Sequence, residues 1–384
     1  MCLQETHGGS SKDECTDSRQ PALNHPSDVK LPTLVADEEL FLVDQAWGLG
    51  DGGAASQETE RLVRKLRLWA SKSRAAETFK KYRTPWRRWL EWAVARTKGG
   101  EPTPLIPAEP FHVALFLVRL AEEHRTAKTV VESAVTALNF VHRLNGFPEP
   151  YGHLAKAVSE GVRRERGGPV TKARPLTVSI LKKIVRGWGG STCPLWQRMI
   201  AAMILLGFAT FGRLSEVSRI KGGDIVFKAD HAQIFIEKSK TDQTRKGAWV
   251  LVARTGTELC PVTRLEGYMR NLKPGSDEPV FRTIWRRSVK VTGQECLGLT
   301  AISSTVYHRY FRRALRELAG MSEEEAARYS GHSMRRGGAT AAEMAQVPAR
   351  LRMKHGRWVS ARTADEYIGD PRKAVLSVTR ELGL

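Results

Sequence analysis

No stretch of the 384 residues is apolar for long enough to cross a bilayer, which takes about 20 consecutive apolar residues. The opening residues, MCLQETHGGSSKDECTDS, lack both the basic start and the apolar run of a secretory signal. Together these absences lead us to expect an intracellular protein with no membrane partner. Cysteine is scarce. The five (Cys2, Cys15, Cys193, Cys260, Cys296) are odd in number, scattered and without a CxxC pair. That argues against a disulfide framework and a thiolate zinc site, and the last three read as small buried hydrophobes. The sequence also has no GxxxxGK[ST] phosphate cradle, no HExxH and no EF-hand loop, so no metal or nucleotide cofactor is indicated.

Acidic residues are scarce after residue 60. Residues 1–60 hold 3 Lys+Arg against 12 Asp+Glu, which leaves 58 basic and 29 acidic residues in the other 324. A positive excess of that size points to a polyanion, with nucleic acid the obvious one. Charge alone does not separate DNA from RNA or an acidic membrane.

The pattern along the chain divides it. Residues 1–55 are polar and acidic and read as a disordered tail, broken only by the apolar island LFLVDQAW at 40–47. From 56 to 168 the period is helical. We expect helices over 59–71, 75–97, 110–123, 127–144 and 153–166, forming a compact helical bundle. The aromatic stripe of Phe79, Tyr82, Trp86, Trp89 and Trp92 reads as core rather than as a stack for bases. The basic linker follows at 169–175. Arg163, Arg164, Arg166, Lys172 and Arg174 around it form a turn-rich, basic run that suits the phosphate backbone equally with a solvated linker. The second domain spans 176–384. It opens with Thr177 as an N-cap, continues through an apolar helix at 196–209, and reaches a hairpin signal at 231–253. Helices are expected at 261–272 and 303–319, and an apolar face at 370–384.

Its last fifty residues carry the chemistry. His332 and Arg335, three apart, share a helix face. An imidazole beside a guanidinium suits a phosphate, because the planar fork of Arg matches phosphoryl oxygens. Tyr367 is a phenolic nucleophile candidate, and Trp358 precedes it by nine residues. Upstream, ILLGFATFGRLSEVSRIKGGD at 204–224 places Arg213, Glu216 and Asp224 after an apolar helix. These positions together resemble the tyrosine recombinase, or phage integrase, family. That family has Gly-x-Arg-x-x-Glu, a Lys in a hairpin turn, His-x-x-Arg, and a His or Trp nine residues before the Tyr. Lys240, in Ser239-Lys240-Thr241, fits the Lys better than Lys238. Trp358 fits by spacing better than His355, as in Cre-like members. The match covers roughly residues 57–384.

The resemblance implies a mainly α protein. A helical N-terminal core-binding (SAM-like) domain would press on one side of duplex DNA, ahead of a mixed α/β catalytic domain with a small β-sheet. It implies a site-specific DNA recombinase whose Tyr367 forms a 3′-phosphotyrosyl intermediate without metal, ATP or other cofactor. Arg213, Lys240, His332, Arg335 and Trp358 would assist Tyr367, and Glu216 would support Arg213. The partners would be double-stranded DNA and further copies of the chain, as dimers or tetramers on DNA. The expected compartment is the nucleus in a eukaryote, and the cytoplasm or nucleoid in a bacterium or virus. A type IB topoisomerase-like relaxing enzyme uses the same side chains, and a silent DNA-binding descendant would be expected to lack one of them. Arg336 and Arg357 depart from the pattern.

Overall fold

The computed structural model describes residues 57–71, 76–168, 172–237, 247–286 and 295–369. The acidic tail, Lys238, Lys240 and the apolar face at 370–384 lie outside the described residues. Contacts divide the chain between Val170 and Thr171 into two units. Among the described residues no helix is long and apolar enough to cross a membrane.

In the first unit α1 (Gln57–Ser71) precedes four packed helices: α2 (Ala76–Lys98), α3 (Pro110–Glu123), α4 (Ala127–Leu144) and α5 (His153–Arg166). The aromatic stripe of α2 is core, as its helical spacing requires. Phe79, Trp86, Trp89 and Trp92 are buried with Phe116 of α3 and Phe140 of α4. The indole of Trp89 donates to the Leu105 carbonyl at 3.0 Å, so its burial strands no donor. Buried His142 accepts from the Ala108 N–H at 2.8 Å, while its other ring nitrogen meets the Leu138 carbonyl at 2.8 Å. That pins the α2–α3 loop to α4. Helix α1 departs from the expected bundle. Its Leu62, Leu66 and Trp69 line one stripe yet stay at least half exposed, and none joins the core cluster.

The second unit is built round α7 (Leu195–Ala209), which is apolar on every side and buried along most of its length. A helix without a polar face needs neighbours all round. They are α6 (Val178–Trp188), α9 (Pro261–Leu272), α10 (Ser304–Ala319) and α12 (His332–Met344), with short α8 (Leu214–Val217) just after α7 and α11 (Glu323–Ala327) just before α12. Strands β1 (Ile225–Phe227), β2 (His231–Ile236) and β3 (Ala248–Ala253) form an antiparallel sheet in that order. Ile234 pairs with Val250, and alternation sends Ala232, Ile234, Ile236, Val250 and Val252 inward.

A second antiparallel pair, β4 (Arg282–Arg286) with β5 (Glu295–Ala301), has no counterpart in the sequence reading. Its strands carry Arg and Gly among the apolar residues, and the register shifts between Arg282 and Ile284, so no clean alternation signals it. The expected burial of the later cysteines holds for Cys260, whereas Cys193 and Cys296 are partly exposed. The described residues then run through α13 (Ala349–Gly356) and α14 (Ala361–Asp365), which lead to Tyr367.

Candidate active site

The site forms where the end of α7, the start of α12 and the α13–α14 segment meet. Helix α7 stops because Phe211 takes a left-handed conformation (φ 48°) and Gly212 follows. The turn delivers Arg213 to the N-terminus of α8. There the Glu216 carboxylate reaches back to the Arg213 backbone N–H at 3.1 Å, a capping contact, and takes the Arg213 guanidinium at 2.6 Å. Helix α12 can approach this corner only because its face is small. A Cβ on Gly338 would lie 2.2 Å from the Phe208 carbonyl oxygen.

Arg335 is wholly buried, projecting from α12 into this corner. It donates to the Phe211 carbonyl at 2.5 Å and to the Gly356 carbonyl at 2.8 Å. Its guanidinium carbon lies 4.6 Å from the Trp358 ring centre and 4.7 Å from that of Tyr367. Such cation–π contacts favour the charged form. Burial, with Arg213 nearby, pulls the other way and holds the Arg335 pKa below the usual range. Arg213 behaves oppositely. Burial opposes its charge most, but Glu216 and then Tyr367 outweigh this and hold its pKa above the usual value. Burial likewise opposes ionisation of Glu216, yet Arg357 and Arg213 keep its carboxylate below the ordinary range. The net result is a cationic floor, with Arg213, Arg335 and Arg357 set against the single carboxylate of Glu216.

Tyr367 is half-buried on that floor, its ring 5.6 Å from Trp358 and 6.4 Å from His332. His332 is exposed at the first turn of α12, where the helix dipole favours a negative group. Trp358 packs on Phe211, Ala339 and Ala364, and its buried indole N–H has no hydrogen-bond partner among the described residues. Its fit depends on Gly356, where a Cβ would lie 2.3 Å from the indole. Beside Tyr367 a cleft of about 450 Å³ is lined by Lys172, Arg328, His332, Arg336 and Glu366 among others.

The structure therefore brings together Arg213, Glu216, His332, Arg335, Trp358 and Tyr367, with Lys172 at the cleft edge. Lys240 belongs to residues 238–246, outside the described residues. Arg163, Arg164 and Arg166 end α5 in the first unit, where Arg163 pairs with Glu132 at 3.5 Å and Arg166 donates to the Ala121 carbonyl. Arg174 uses its backbone N–H to hold the Arg328 carbonyl at 2.9 Å. His355, the rival of Trp358, is turned inward: a ring nitrogen meets the Ala209 carbonyl at 2.7 Å. Burial, opposed by the Ala209 hydrogen bond and aided by repulsion from Arg357, lowers its pKa. Among the described residues no cluster of His, Cys, Asp and Glu is grouped as a metal site would need. Sequence reasoning missed the role of Arg357, whose guanidinium meets Glu216 at 2.8 Å. The only signal for it was its place beside Trp358.

No family model matches the chain. It is 26% identical over 321 residues to an integrase/recombinase xerD homolog of Selenomonas ruminantium, covering 82% of this chain and 88% of the relative. It is 24% identical over 292 residues to the recombinase cre of Escherichia phage P1, covering 73% and 80%. Among solved structures, the XerH site-specific recombinase bound to its difH substrate matches with a TM-score of 0.53 at 14% identity, over 86% of this chain and 91% of that one. A lambda integrase dimer bound to a core site matches with a TM-score of 0.50 at 18% identity, over 81% and 95%. The relatives it resembles across most of its length, and the solved structures whose fold it shares, are tyrosine recombinases.

Proposed function

We propose that this chain is a site-specific DNA recombinase that cuts and rejoins duplex DNA through a 3′-phosphotyrosyl bond to Tyr367. The observation that carries the reading is the convergence of Tyr367, Trp358, Arg335 and Arg213, which lie up to 154 residues apart in sequence, on one buried cationic floor. A tyrosine ring on a buried guanidinium, with a second guanidinium beside its hydroxyl, is poised for phosphorus and for little else. The Tyr367 oxygen would attack the phosphorus, the bond to the 5′-oxygen would break, and a proton would pass to that oxygen. Lys240 is our candidate donor for the proton, and His332 receives the one from Tyr367.

Negative charge gathers on the phosphoryl oxygens during attack, so fixed donors are worth most there. Arg213 and the Trp358 N–H supply them. Arg335 gives field and position, being wholly buried with two carbonyls orienting its terminal nitrogens. The phosphotyrosyl bond conserves the energy of the phosphodiester, so a second 5′-hydroxyl can reverse the step without ATP or metal. The five basic residues at 163–174 would lie along the phosphate backbone, and copies of the chain would assemble as dimers or tetramers on DNA.

The test uses the full chain. A duplex enriched from a random pool by binding to the protein is nicked near the cleavage point so that the released strand escapes. We expect a denaturation-resistant protein–DNA adduct with the wild type and none with Tyr367→Phe, which keeps the ring on Arg335 and still binds. Adduct formation by Tyr367→Phe overturns the assignment.

A further inference from the structure

Arg357 has no part in the chemistry above, yet it is tightly held beside it. It ends α13 in a left-handed conformation, φ 56° and ψ 41°, where glycine is the usual occupant. An L-residue occupies it here although its Cβ makes that backbone unfavourable. Its side chain is correspondingly committed: one nitrogen meets Glu216 at 2.8 Å, and another meets the Thr210 and His355 carbonyls at 3.2 and 3.3 Å. Only 11% of that side chain is exposed, and only 2% of Glu216.

We infer that Arg357 is a positioning residue for the strand-cleavage step, acting through Glu216 on Arg213. The inference rests on the phosphotyrosyl reading. Glu216 divides its oxygens: Oε1 takes the Arg213 guanidinium and Oε2 takes Arg357. With Arg213 alone, the buried carboxylate would cancel the charge that the phosphate must feel. With Arg357 present, the Arg213–Glu216–Arg357 unit keeps a net charge of +1, and Arg335 raises the floor to +2. Attack by a phenolate on a phosphodiester makes a phosphorane carrying two negative charges, the opposite of that floor. Arg357 also ties the Trp358 segment to the α7–α8 turn, since Thr210 and Glu216 both belong to that corner. It therefore fixes two donors at once, Arg213 and Trp358, without reaching the phosphate.

The experiment measures single-turnover adduct formation on the nicked duplex, with DNA affinity and thermal stability recorded for each variant. Arg357→Met should slow the adduct about tenfold or more, the usual effect of losing a supporting partner, at unchanged DNA affinity. Arg357→Lys should recover part of the rate by restoring the charge. Adding Glu216→Gln to Arg357→Met should recover part of it too, because the uncompensated carboxylate is gone. A purely structural residue would give neither recovery, and its rate loss would track melting temperature. Wild-type rate in Arg357→Met, or a loss that neither Lys nor Glu216→Gln relieves, overturns the inference while leaving the Tyr367 assignment intact. A wild type that forms no adduct overturns both.

Discussion

Replacing Trp358 with Phe separates stability from chemistry. The indole N–H is buried and has no partner among the described residues, and an unsatisfied buried donor costs about 1–3 kcal/mol. Phe removes that donor and keeps a flat ring between Phe211, Arg335 and Tyr367. The smaller ring leaves a void, which should cost about 1–2 kcal/mol by comparison with other core truncations. The two effects oppose each other, so the net change in stability should stay within about 1–2 kcal/mol, a small shift in melting temperature. Catalysis has no such compensation. If the N–H meets the phosphoryl oxygen in the transition state, its loss should slow adduct formation about 10²–10³-fold, as for other single donors. The assay pairs a thermal melt with single-turnover adduct formation on the nicked duplex, and Trp358→His should keep more activity than Phe because it restores a donor. A Phe variant that cleaves at the wild-type rate would refute the donor role. A loss of stability much beyond about 3 kcal/mol would refute the claim that the N–H is stranded.

Gly338→Ala tests the close approach of α12: its Cβ would fall 2.2 Å from the Phe208 carbonyl oxygen, a contact only backbone movement can relieve. We expect a loss of about 2 kcal/mol or more from overpacking, with adduct formation falling further because the same helix carries His332 and Arg335; melting and cleavage together check it. His142 supplies a pH prediction. Burial lowers its pKa, against the Leu138 hydrogen bond, so the unfolded chain binds a proton more readily than the folded one. That contribution to stability is full above about pH 6.5, the ordinary histidine value, and is lost as the pH falls below it towards the lower folded-state pKa. Melts of the full chain at about pH 7.5 and 5.5, on either side of that value, should show the first unit weakening in acid. His142→Leu should be less stable at the higher pH, with Ala108 left unpaired, and should respond less to acid. An unchanged pH response in that variant would refute the assignment.

Most of the long helices and the order of the chemistry were legible in the sequence, while short α8, α11, α13 and α14 were not. Helix α7 was readable because the long apolar run after Arg198 has one outcome in a folded unit, and α2 because its aromatic residues recur at helical spacing. His332 with Arg335, and Trp358 with Tyr367, were readable because helix and motif spacing are local properties. Strands β4 and β5 were not, since their pairing depends on each other across a bulge rather than on alternation within either. Nor was the partly exposed stripe of α1, because periodicity shows that a face is apolar and not whether anything covers it.

The electrostatics were decided only by the tertiary structure. A sequence records three arginines and a glutamate at 213, 335, 357 and 216, with equal formal charges wherever they sit. Folding buries Arg335 between two rings and two carbonyls, and it makes Glu216 serve two guanidiniums at once. Coulomb energy depends on distance and on the exclusion of water. Both are set by the α7 turn and the glycine face of α12, which bring together residues more than a hundred positions apart.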